Sequence, residues 1–139
     1  MSPRTIFLSR LLGLFLLIVS LSLFLRRPEV LAIMSALIQD GPLLLILGMA
    51  ALVAGLAMVL THNIWSGGAL PVVVTLFGWI ILLRGLVLLM LPHEMIVRLF
   101  EMSRLGDFFI IYAAIPLILG LYLTFAGFTA SIGSRNQYR

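Results

Sequence analysis

Long apolar runs separated by short polar clusters fill the chain. Four of them are close to twenty residues long, at about 6–25, 42–60, 70–91 and 108–128. At ~1.5 Å rise per residue, a helix of ~20 residues crosses the ~30 Å hydrocarbon core of a bilayer. Hydrocarbon offers no partner to backbone amides, so a segment buried in it must satisfy its own and becomes helical. The pattern therefore predicts an all-α polytopic membrane protein: a four-transmembrane-helix bundle forming one membrane domain over residues 1–139.

Two connectors keep a different rhythm. In Glu29–Gln39, Val30, Leu31, Ile33, Met34, Leu37 and Ile38 fall on one helical face and Glu29, Ala32, Ser35, Ala36 and Gln39 on the other. In His93–Leu105, Met95, Ile96, Leu99, Phe100 and Met102 oppose Glu94, Arg98, Glu101 and Arg104. Both read as short interfacial amphipathic helices, over about 29–39 and 93–105. The second spacing allows Glu94–Arg98 and Arg98–Glu101 ion pairs. Asp40-Gly41-Pro42 supplies a cap and a helix-starting proline for the second span. Pro116, in the fourth, removes one backbone bond and is expected to kink it.

Small residues recur within the runs. Gly48/Gly55, Gly78/Gly85 and Gly120/Gly127 share one spacing, and Gly13/Ser20 is a weaker version. Small side chains let helices approach closely in lipid, so these are expected helix-packing positions. The halves also resemble each other at an offset of about 65 residues, which carries Gly13 onto Gly78, Gly41 onto Gly106 and Gly55 onto Gly120. A tandem two-helix repeat of this kind implies a pseudo-two-fold axis along the membrane normal.

Composition reinforces the membrane reading: 63% of residues are hydrophobic, 10% are charged and mean hydropathy is +1.23. Soluble domains sit nearer half apolar and a quarter charged. Net charge is +4, carried by arginines without lysine. These arginines flank the runs instead of clustering on a soluble face, which speaks against nucleic-acid binding. With no cysteine, disulfides, thiol catalysis and Cys-based metal sites are excluded. Arg26 and Arg27 stop the first run and no small-residue cleavage site follows, so it reads as a retained span and not as a cleaved signal.

Arg4, Arg10, Arg135 and Arg139 fall at one membrane side and Arg26, Arg27, Arg98 and Arg104 at the other, together with all five acids. The purely basic side, which holds both termini, is expected to be cytoplasmic.

Few residues could carry chemistry. Thr61–Gly68 is polar, and His62 there could accept a proton or ligate a metal. Alternatively, His62 and Asn63 end the second span by bonding its last carbonyls, with Trp65 as an interfacial anchor. Arg84 is the one charge well inside an expected span, about 10 Å from its end. It is a functional candidate by position, with Glu29, Glu94 or Asp107 as potential partners, or else it snorkels to headgroups. Thr75, Gly78, Trp79, Leu82 and Gly85 share one sector of the third span and read as bundle packing. The candidate polar sites are thus His62, Asn63, Trp65, Thr75, Trp79 and Arg84, with no catalytic constellation, metal site or cofactor.

The run His62–Leu89 resembles a group of small bacterial four-span integral membrane proteins with the pattern HN-x-W, P-x-x-x-T-x-x-GW, and a basic residue followed by Gly. In this chain these are His62, Asn63, Trp65, Pro71, Thr75, Gly78, Trp79, Arg84 and Gly85. The resemblance implies a bacterial inner-membrane setting and brings no activity with it. The expected function is non-enzymatic: a membrane protein working through helix packing, as a homo-oligomer or an accessory subunit, with lipids and membrane proteins as partners. The alternative is an oligomeric small-solute or ion transporter with His62, Asn63 and Thr75 at one mouth and Arg84 near the other.

Overall fold

A computed structural model describes residues 2–104 and 106–135, with side chains as far as residue 130. The element order is α1 (Pro3–Leu25), α2 (Arg27–Gln39), α3 (Gly41–Thr61), α4 (Ala69–Met90), α5 (His93–Met102) and α6 (Phe109–Arg135). Four helices, α1, α3, α4 and α6, are long and apolar enough to cross a membrane. Leu105, Arg139 and the rest of the C-terminal tail beyond residue 135 lie outside the described residues.

Local chemistry sets the helix ends. The hydroxyl of Ser2 accepts the N–H of Thr5 at 3.2 Å and Pro3 sits in the first turn, so α1 begins three residues before the expected residue 6. At α3, the Asp40 carboxylate accepts the N–H of Leu43 at 3.0 Å. The chain reverses between α3 and α4 through Gly67 and Gly68, whose φ angles of 91° and 114° suit glycine alone. Helix α5 stops at Met102, short of residue 105, because Ser103 closes the last turn and Arg104 turns into the left-handed region at φ 44°. Helix α6 runs on through Pro116, which has no N–H to offer the carbonyl of Tyr112.

The spans associate as two close pairs, α3 on α4 and α1 on α6, with lighter contact of α1 and α6 on α4. Glycine makes both pairs possible. A Cβ on Gly55 would stand 2.5 Å from the Cα of Leu82, and one on Gly85 2.8 Å from the Cα of Leu52. Gly48 and Gly78 face Leu88 and Met58 across the same seam. In the other pair, Gly13 lies against the backbone of Thr124, Gly120 against Leu17, and Gly127 against the hydroxyl of Ser9. The offset of about 65 residues that carries Gly55 onto Gly120 also carries Leu17 onto Leu82. It likewise carries Gly13 onto Gly78, and Val59, which touches Gly78, onto Thr124, which touches Gly13. The α1–α6 seam thus reproduces contacts of the α3–α4 seam.

An apolar core of Leu16, Leu70, Val74 and Leu123 joins the pairs. Buried around it in α1 are Thr5, Ser9 and Ser20. Ser9 and Ser20 donate to the carbonyls of Ile6 and Leu16 at 2.9 and 2.7 Å, so these hydroxyls enter the seam already satisfied by their own helix. The connectors α2 and α5 touch each other at the far end, and α2 turns Val30, Leu31, Met34, Leu37 and Ile38 inward. Ile33, assigned to that face by sequence, is exposed.

Candidate functional site

The polar residues gather at the two ends of the bundle. At the first end, the carboxyl terminus of α3 meets the amino terminus of α4. The N–H of His62 closes α3 on the carbonyl of Met58 at 2.7 Å. Its ring is buried, with Nε2 3.4 Å from the carbonyl of Pro71, while Nδ1 has no hydrogen-bond partner. The side chain of Asn63 does not reach back to α3; it accepts the indole N–H of Trp65 at 2.7 Å. Thr75 is buried in α4 and holds the turn at both of its backbone groups. Its Oγ1 accepts the N–H of Ile64 at 3.1 Å and donates to the carbonyl of Ile64 at 3.0 Å. One hydroxyl therefore does for Ile64 what a neighbouring strand would do, in a segment with no strand beside it. A shallow cleft of about 410 Å³ opens here between Ser2, Pro3, Arg4, Thr61, His62 and Ile64.

The structure thus brings His62, Asn63, Trp65 and Thr75 together as a set of turn contacts. Trp79 lies at the margin of the buried α4 face formed by Thr75, Gly78 and Gly85, with 36% of its surface exposed.

Arg84 is at the other end, about 14 Å further along α4 than Thr75. It is exposed and makes no hydrogen bond or ion pair among the described residues. Of its expected partners, Glu29 is taken by Arg26, with Nε donating at 2.7 Å, and Glu94 and Asp107 do not reach it. The Glu94–Arg98 and Arg98–Glu101 pairs allowed by the spacing do not form either. Arg84 instead lines a cleft of about 430 Å³ walled by α3 and α4 and closed over by α2 and α5. Every other lining residue is apolar, among them Leu37, Leu47, Ala54 and Phe100.

A second arginine lies within a span. Because α1 begins at Pro3, Arg10 is about 10 Å inside it. Its Nε donates to the carbonyl of Gly127 at 3.2 Å and its guanidinium lies 4.6 Å from the ring centre of Phe128. The absent side chain of Gly127 leaves that carbonyl open, and the ring face adds a favourable site for the cation. Arg10 and the buried hydroxyls of Thr5 and Ser9, which extend the expected Gly13/Ser20 packing face, are the polar features that the sequence reading does not single out. Their spacing along one face of α1 around Gly13 was the available signal.

Among the described residues, no three His, Asp or Glu side chains gather to hold a metal. Comparison with protein-family models, with curated proteins and with solved structures finds no match.

Proposed function

We propose that the chain is a small, non-catalytic membrane protein that works through its surfaces, as a homo-oligomer or as an accessory subunit of a membrane complex. The observation that carries this reading is how the polar residues are spent. Thr75, Asn63 and Trp65 hold the turn between α3 and α4, and Arg10 holds α1 to α6, so these groups serve the fold. What remains available is surface: in the most apolar 18-residue stretch of each span, only 17% to 22% of residues are buried within the protomer. The glycine faces are used up inside the chain, so a partner would meet the outer helix faces. The proposed setting is a bacterial inner membrane, in line with the resemblance of His62–Leu89. In that setting α2 and α5 lie in the interface, and both termini face the cytoplasm, on the side whose charges are all basic. Tandem duplication of a two-span unit accounts for the recurring seam contacts.

The intact particle, extracted gently and weighed, is expected to exceed the 15.3 kDa protomer by at least one further chain. A lone protomer across mild detergents and nanodiscs would overturn the assembly reading.

Transport by an oligomer is a second reading, favoured by the charge of Arg84 within a span, which has no ion-pair partner among the described residues. Under it, Arg84→Leu in proteoliposomes loses most ion or solute flux; no flux in the wild type, or equal flux in the variant, removes the reading.

A further inference from the structure

We infer that the cleft between α2, α3, α4 and α5 holds one acyl chain of an anionic phospholipid from the surrounding bilayer, with its phosphate on Arg84. The inference does not depend on whether the chain assembles with others. It starts from the cleft's size and lining. At about 430 Å³ it falls within the ~300–1,000 Å³ usual for small-molecule sites, and its walls are apolar except for one guanidinium. Ala50, Ala51 and Ala54 on α3 keep one wall low where bulkier side chains would fill it.

Charge then selects the occupant. A guanidinium in apolar surroundings is costly without an anion, and Arg84 has none from the protein among the described residues. The nearby acids are no substitute: Glu29 is held by Arg26, and neither Glu94 nor Glu101 lines the cleft. Guanidinium matches phosphate oxygens with two parallel hydrogen bonds. Depth fits as well. Arg84 lies about 9 Å below the Met90 end of α4, a distance its long stem spans towards the headgroup level. A phospholipid entering from the side would therefore lay a tail along the alanine wall, beneath α2 and α5, and present its phosphate to Arg84. A lipid without phosphate, such as a diacylglycerol, would fill the same space and leave the charge unmatched.

The test uses the full chain, purified and stripped of lipid, with phosphatidylglycerol, diacylglycerol or palmitate added before intact-particle mass measurement. Wild type is expected to retain one phosphatidylglycerol per protomer about tenfold better than diacylglycerol, which has the same tails and no phosphate, a factor that one charge-assisted contact supplies. Arg84→Gln should erase that preference. Ala54→Phe fills the cleft while leaving Arg84 in place, and should lower retention of both two-tailed lipids. Equal retention of phosphatidylglycerol and diacylglycerol by wild type would overturn the inference. So would undiminished preference in Arg84→Gln, unchanged retention in Ala54→Phe, or binding of palmitate without phosphatidylglycerol. Ala54 is exposed to the cleft, so its variant keeps the test decisive even where Arg84→Gln does not accumulate.

Discussion

Gly55→Leu is expected to destroy the α3–α4 seam. A Cβ at Gly55 would sit 2.5 Å from the Cα of Leu82 and nearer still to its backbone nitrogen. The obstacle is main chain of a packed helix, so no rotamer change relieves it and the helices must part. Overpacking against movable side chains already costs ~1–3 kcal/mol, and a backbone clash lies at or beyond the upper end of that range. Thermal unfolding in detergent, followed by near-ultraviolet circular dichroism, should show a large drop in midpoint or no folded material. The contrasting control is Gly106→Ala. Nothing lies within 4 Å of a Cβ there, and its stability should stay within about 1 kcal/mol of wild type. Equal loss in both variants would mean that glycine content, and not the seam, matters. Gly85→Leu should follow Gly55→Leu for the same reason, because its Cβ would meet the backbone of Leu52. Loss of a partner in such variants is therefore no evidence of an interface, since the protomer itself is broken.

The second large effect is expected at Thr75. Thr75→Val keeps the shape of the side chain and removes both of its bonds to Ile64. The N–H and carbonyl of Ile64 then face a methyl group in a partly buried site. Leaving such groups unpaired costs ~1–3 kcal/mol each when fully buried, so a loss of about 2 kcal/mol is expected here. Amide exchange at Ile64 should quicken by at least tenfold while exchange in the middle of α6 stays unchanged. Thr75→Ser keeps the hydroxyl and should recover most of the protection. If Thr75→Val leaves the Ile64 amide as slow as before, the hydroxyl does not hold the turn.

The sequence carried the spans because lipid imposes a blunt rule: about twenty apolar residues must form a helix. Glycines at a repeating interval pointed to seams for a related reason, since only small residues allow close approach in a solvent as apolar as the side chains. Partner choice was not legible. Nothing in the local pattern of α1 says that it meets α6 and not its neighbour in sequence, because Gly13 and Gly127 could each serve any helix. The role of Thr75 was hidden similarly: its partner, Ile64, is apolar in name and contributes only backbone. Arg10 reads as a membrane-edge residue when the first span is counted from its apolar run at Ile6, and the Ser2–Pro3 start of α1 carries it inside. The Arg84 cleft could not be anticipated either, since it exists only once α2 and α5 fold over the α3–α4 pair.

The pairing of α1 with α6 also fixes an order of events during synthesis. Helices α3 and α4 leave the ribosome consecutively and can zip together at once. Helix α1 is made first and partnered last, since Gly13 and Ser9 have no matching surface until Thr124 and Gly127 have been translated. Until then it has only its lighter contact with α4. Its hydroxyls are tolerable in that state because Ser9 and Ser20 already bond their own backbone. Arg10 has no such provision before the carbonyl of Gly127 arrives, and it would hold the nascent helix towards the headgroups until α6 lets it settle.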